Sequence, residues 1–277
     1  MKKNLLLLIV IAFCFTLFSC KKSTTTTPAP TVLKQWMAVV MSPKFENPAP
    51  AGRTETGTVD IKLLSDKTIS FSATINNLLA GDPITAGHIH IGDVVTNGQV
   101  IVPFNPVFST SGTVSTASGI VSISATLSDS LQNLPIPLYA NFHTAAFPGG
   151  LMRAQLDKTM DFAIDVPLLG TSEVPSVTTT ATGKALLRLT SDKILYSKVT
   201  VTNLEAGDVL TASHIHTAAS GVNGPVIQFL AASASEFNVS MNHTLSDAII
   251  SSLKNDPVYV NAHSTAHPGG VIRGQIR

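Results

Sequence analysis

The chain has 277 residues, of which 44% are apolar and 13% charged, and a formal net charge of +1. No basic run follows the first 22 residues, so the body offers no electrostatic footprint for nucleic acid. Low charge density with abundant Ser, Thr, Val and Ala is the composition of an extracytoplasmic β protein.

The N-terminus reads as a signal. Lys2 and Lys3 precede a nearly all-apolar run, Leu5–Phe18, and Ser19-Cys20 follow. A basic start, a short apolar stretch and a small residue before the cut describe a secretory signal over residues 1–19. The run is shorter than the roughly 18–20 residues of a spanning helix. "LFSC" at Leu17–Cys20 also resembles a bacterial lipobox, with Phe18 where a smaller residue is commoner. That resemblance implies cleavage before Cys20, acylation of its sulfur and attachment to a lipid bilayer. The alternative is an ordinary secretory signal with an incidental Cys. "KKSTTTTPAP" (Lys21–Pro30) has no apolar periodicity and two prolines, so residues 20–31 read as a lipidated Cys and a spacer. Removing Lys2 and Lys3 with the signal brings the net charge to about −1. Cys14 and Cys20 are the only cysteines, so the mature body has no disulfide and relies on core burial. The expected location is the bacterial cell envelope, with periplasmic and surface-exposed placements both open.

The body is a tandem repeat. "LLSDKTISFSATINNLLAGDPITAGHIHIG" (Leu63–Gly92) aligns with "RLTSDKILYSKVTVTNLEAGDVLTASHIHTA" (Arg188–Ala218), where Ser65, Gly81, Asp82, His88 and His90 recur 126 positions later. Tyr139, Asn141, His143, Pro148, Gly150, Arg153 and Gln155 recur 120 positions later. Units of this size are domains, not solenoid repeats. Residues 32–158 and 159–277 are taken as the two domains.

Each unit reads as β. Gly57–Leu64 and Thr68–Ile75 alternate around Ser65-Asp66-Lys67, a hairpin with a short polar loop. "GIVSISATL" (Gly119–Leu127) and "VIQFLA" (Val226–Ala231) add strands. Ser246–Leu253 is a helical signal with Ser246 as N-cap, and Ser128–Leu134 is its counterpart. The expected class is all-β: two antiparallel, Greek-key-like sandwiches, each with one short helix.

Two strings carry chemistry. In "AGHIHIG" and "ASHIHTA", Ile89 and Ile215 face one way, while His88 with His90, or His214 with His216, face the other. Two His at i and i+2 on a strand can chelate one metal as neutral imidazoles. The closing strings "NFHTAAFPGGLMRAQL" and "NAHSTAHPGGVIRGQIR" read as strand, turn, strand. Their polar face holds Asn141, His143, Arg153 and Gln155, or Asn261, His263, Arg273 and Gln275. Pro-Gly-Gly suits a type II turn with positive φ at the first Gly. His143 or His263 would complete three His per unit. His267 replaces Phe147 and is either a further ligand in the second unit or a solvated loop His.

This pattern resembles the CHRD family, the domain first described in chordin: "HIH" after a Gly-Asp turn, and a closing Tyr-x-Asn-x-His…Pro-Gly-Gly…Arg-x-Gln. The second copy also has the Glu-Val-Pro opening in "LLGTSEVPSVTTTATGKA" (Leu168–Ala185), whereas the first, "FENPAPAGRTETGTV" (Phe45–Val59), departs most there. The resemblance implies a secreted β domain and names no ligand.

Three functions compete. One is a structural or binding module for a protein or small ligand, its polar face a network whose members satisfy one another. Another is a copper or zinc site of three His per domain, extending to superoxide-dismutase-like redox chemistry. "HIH" is similar to the copper-ligand strand of Cu/Zn superoxide dismutases, with Arg153 and Arg273 standing near an anion site by analogy. The Cys pair and His-rich loop of those enzymes are missing. The third, another enzyme class, finds no Gly-x-Ser-x-Gly elbow, His-Glu-x-x-His, phosphate loop or catalytic Cys. The repeated Asp66/Asp192 and Asp82/Asp208 read as backbone-bonding turn residues.

Overall fold

Alternation is what builds the strands of the computed structural model, which describes residues 28–104 and 107–277. The expected signal segment, Cys14, Cys20 and the expected spacer through Thr27 lie outside the described residues. In β2 (Thr56–Leu64), Val59, Ile61 and Leu63 are fully buried; in β3 (Thr68–Asn76), Ile69, Phe71, Ala73 and Ile75 are. Between them Lys67 takes φ 64° and its N–H donates to the Leu64 carbonyl, closing the hairpin.

The first domain has two antiparallel sheets. One orders β1 (Val32–Met41), β2, β3, β7 (Val114–Ser122) and β6 (Val107–Ser111). The other orders β5 (Val100–Phe104), β4 (Ile84–Ile91), β8 (Leu138–Thr144) and β9 (Met152–Gln155). The chain changes sheet after β3, β5 and β7, and the pairs β3–β7 and β4–β8 span these crossings, in Greek-key fashion. Apolar side chains of both sheets form one core; Phe71 and Phe104 stack across it at 4.0 Å. Burying such side chains supplies the driving force, about 1.5–3 kcal/mol each.

The second domain repeats the plan. β10 (Met160–Leu169), β11 (Thr182–Thr190), β12 (Ile194–Thr202) and β15 (Met241–Thr244) form one half. β14 (Val226–Ala231), β13 (Leu210–Thr217), β16 (Val258–Ser264) and β17 (Ile272–Gln275) form the other. The pair Leu169↔Arg273 joins the halves, as an isolated bridge, Ser42↔Arg153, does in the first domain.

The helices differ from expectation at one point. Ser246 caps α2 (Asp247–Asn255), accepting from the Ile249 N–H. α1 (Ala125–Asn133) begins earlier than the predicted Ser128, because the Ser124 hydroxyl accepts from the Leu127 N–H at 3.1 Å and turns the end of the predicted strand into helix.

The two domains meet through a buried polar joint. Arg188 of β11 is fully buried and donates to the Glu46 carbonyl, Asn47 Oδ1, Asp165 Oδ1 and the Ile164 carbonyl. Asp165 also accepts from the Ala49 N–H, and the Ser240 hydroxyl donates to Asp93. Domain 2 therefore braces two segments of domain 1 that border the histidines.

Candidate metal centres

Strands β4 and β8 bring the first three histidines together. Their pairing sets His88 opposite Asn141 and His90 opposite Tyr139, which puts all these side chains on the face away from the core. His88 Nδ1 lies 3.0 Å from His143 Nε2, and the His88 and His90 rings sit 5.6 Å apart. One donor atom from each of His88, His90 and His143 falls within 4.8 Å of the others.

Backbone carbonyls fix the tautomers. His90 Nδ1 is 3.0 Å from the Gly98 carbonyl and His143 Nδ1 is 2.9 Å from the Pro148 carbonyl. A carbonyl only accepts, so both Nδ1 atoms carry the proton and both Nε2 atoms present a lone pair. His90 Nε2 is buried with no hydrogen-bond partner. This is the outer-sphere arrangement that orients an imidazole toward a metal.

Arg153 and Gln155 build the loop that supplies the Gly98 carbonyl. Arg153 donates to the Asp93 and Thr96 carbonyls, to Asn97 Oδ1 and to Gln155 Oε1; Gln155 donates to the Gly92 carbonyl. The guanidinium lies 3.5 Å from the Tyr139 ring centroid, and Tyr139 stacks on His90 at 4.8 Å. Gly98 is obligatory, since a Cβ there would stand 1.6 Å from the Ile91 carbonyl oxygen.

Asn141 points elsewhere. Its amide donates at 2.9 Å to Glu46, a buried carboxyl whose pKa burial pushes up to about 7. Gly150, at φ 132°, makes room: a Cβ there would stand 2.4 Å from Asn141 Nδ2 and 2.7 Å from Glu46 Oε1.

Domain 2 repeats the constellation. His214 Nδ1 lies 3.1 Å from His263 Nε2, while His216 and His263 donate through Nδ1 to the Gly224 and Pro268 carbonyls. His216 Nε2 is buried without a partner, and Arg273, Tyr259 and His216 form the same stack. Arg273 and Gln275 fold the loop of residues 218–224. Burial pushes His88 and His214 down to about 4, each helped by the two neighbouring imidazoles, and lowers His90, His143 and His263. These five rings are neutral at pH 7, the state that ligates.

Several expectations change. The polar face satisfies itself only in part: Arg153 bonds Gln155 and His88 bonds His143, but most Arg and Gln donors go to loop carbonyls, Asn141 to Glu46, and His90 and His143 Nδ1 to main-chain carbonyls. Neither Arg offers a free guanidinium edge to an anion, because its donors are committed to the loop. The Pro-Gly-Gly turn carries positive φ at Gly150 and Gly270, after a turn closed from Gly150 N–H to the Phe147 carbonyl, so it is not type II. His267 stands with Glu205 and Asp208, not with the three His. Asp82 and Asp208 do bond turn backbone, at Ala146 and Ala266. Sequence reasoning missed Glu46, Glu173, Gly98 and Gly224 as site residues. Their signal was the recurrence of Glu-x-Pro and Asn-Gly in both copies.

A family model for the CHRD domain matches residues 37–156 and again 164–276. The chain belongs to the CHRD domain family. Comparison with curated proteins and with solved structures finds no match. Each CHRD domain of this chain thus carries one three-His constellation on the same two strands.

Proposed function

We propose that this chain is a lipid-anchored protein of the bacterial cell envelope whose two CHRD domains each bind one copper or zinc ion through three histidines. The ligands would be His88, His90 and His143, and His214, His216 and His263. The observation that carries the reading is the pair of buried Nε2 lone pairs on His90 and His216, aimed into a set of imidazoles and bonded to nothing. Buried polar atoms are mostly hydrogen-bonded, so an unpaired ring nitrogen that faces two other imidazoles in both domains points to a ligand. The ion would supply Lewis acidity; the chain's residues hold it, with Gly98 and Gly224 setting the ring orientation. Since both arginines are committed, binding is a better reading than redox turnover. Lipid attachment rests on the Cys20 sequence alone, and the Thr/Pro spacer would present the domains away from the bilayer.

A second reading keeps the domains as modules for a protein or small ligand, with the histidines as scaffold; the Arg153–Tyr139–His90 stack, which needs no ion, favours it. Titration of the intact chain, purified without a His tag, with Cu²⁺ and Zn²⁺ decides between them. Two equivalents should be lost in a His90→Ala/His216→Ala variant that still melts cooperatively. Absence of tight binding, with a lower melting temperature in that variant, would return the histidines to scaffold. Retention of radiolabelled fatty acid by the parent and not by Cys20→Ala tests the anchor.

A further inference from the structure

The two domains treat one position in opposite ways, buried in domain 1 and half-buried in domain 2. In domain 1 Arg53 fills it. Its guanidinium bonds Glu55 at 2.5 Å and Asp82 at 2.5 Å and lies over the Phe147 ring at 4.9 Å. Two carboxylates are thereby neutralised by one internal cation.

Domain 2 lacks that cation. Thr179 stands at the Arg53 position and Ala181 at the Glu55 position, while Asp208 matches Asp82. Two replacements bring new donors: Glu205 where domain 1 has Leu79, and His267 where it has Phe147. One donor atom each from Glu205, Asp208 and His267 lies within 4.8 Å of the others, yet no ion pair joins the imidazole to either carboxylate. Glu205 Oε1 is held by the Thr179 hydroxyl and the Thr180 N–H, and Asp208 Oδ1 by Thr265, Ala266 and Val209. Of the remaining oxygens, Glu205 Oε2 is shielded from solvent with no hydrogen-bond partner, while the Ser264 hydroxyl serves the Asp208 carboxylate and lowers its pKa. A half-buried pair of carboxylates beside an imidazole, with one carboxylate oxygen bonded to nothing, presents an open donor set to a cation.

We infer that Glu205, Asp208 and His267 form a second kind of metal site, confined to domain 2, that takes a divalent first-row transition ion where domain 1 uses the Arg53 guanidinium. A mixed oxygen and nitrogen donor set suits manganese or zinc, in contrast to the all-imidazole sites. The site is independent of the three-His reading.

Mn²⁺ is the probe, followed by electron paramagnetic resonance during titration of the intact chain. One saturable equivalent is expected, unchanged in His90→Ala/His216→Ala and lost in Glu205→Gln/Asp208→Asn. Because the Asp208 turn is part of the fold, His267→Phe, which borrows the residue of domain 1, is the second variant; it should weaken Mn²⁺ at least tenfold with the melting temperature preserved. No saturable Mn²⁺ equivalent, or equal affinity in His267→Phe, would overturn the inference.

Discussion

Domain 1 and domain 2 hold the same three histidines in nearly the same geometry, with His–His ring separations of 4.9 Å in both, yet their surroundings differ. In domain 1, Asn141 is drawn off to Glu46 and leaves His143 Nε2 facing His88. In domain 2, Glu173 Oε1 has no partner, and Asn261 Oδ1 faces His263 Nε2 at 3.0 Å. With His263 Nδ1–H given to Pro268, that Nε2 can only accept, so the amide must turn its NH₂ toward it. Phe229 packs on His214 at 4.4 Å, where domain 1 pairs Pro103 with His88. The histidines, the carbonyls that orient them and the Arg–Tyr stack therefore belong to the repeat, whereas the Asn–Glu pair and the neighbour of His88 or His214 belong to the individual copy.

That contrast breaks most sharply at Arg188. Replacing it with Ala leaves the half-buried Asp165 with only the Ala49 N–H and strips the Glu46 carbonyl of its donor, a loss of about 3 kcal/mol, measurable by chemical denaturation. The same variant should lose metal at site 1 before site 2, because the Glu46 segment is what Arg188 holds. Next comes pH. Glu46 has a folded pKa of about 7 against 4.5 unfolded, so its contribution is fully present below pH 4.5 and is lost as pH rises through 7. Glu46→Gln should raise stability by roughly 2 kcal/mol at pH 8 and leave it unchanged at pH 4.5. The metal-free histidines run the other way: His88 and His214, depressed from 6.5 to about 4, cost stability as pH falls across that window. Melting curves at pH 4.5 and 8 would separate the two trends. The smallest effect is at Asn261. Its amide competes for the His263 lone pair, so Asn261→Ala should tighten copper at site 2 about fivefold, roughly 1 kcal/mol, whereas Asn141→Ala should not tighten site 1. Isothermal titration of the two variants compares them.

The sandwich class and the six histidines were legible in the residues, because strand alternation and a doubled motif both survive in linear sequence. What stayed hidden were partners contributed by main chain. The carbonyls of Gly98 and Pro148 fix the histidine tautomers, and a carbonyl has no letter of its own. Arg153 and Gln155 were recognisable as repeated but not as loop builders, since the loop is more than fifty residues away in the chain. Glu46 escaped because its Glu-x-Pro is short and the two copies diverge directly after it, and α1 began early because Ser124 outcompeted strand alternation.

The Arg188 joint reverses the order in which the copies are completed. A chain is made from its N-terminus, so domain 1 is synthesised first. Its Glu46 segment nevertheless gains its brace only when β11 of the second domain has been made and folded. The first copy off the ribosome thus carries a buried carbonyl and amide whose hydrogen-bond donor is encoded in the second.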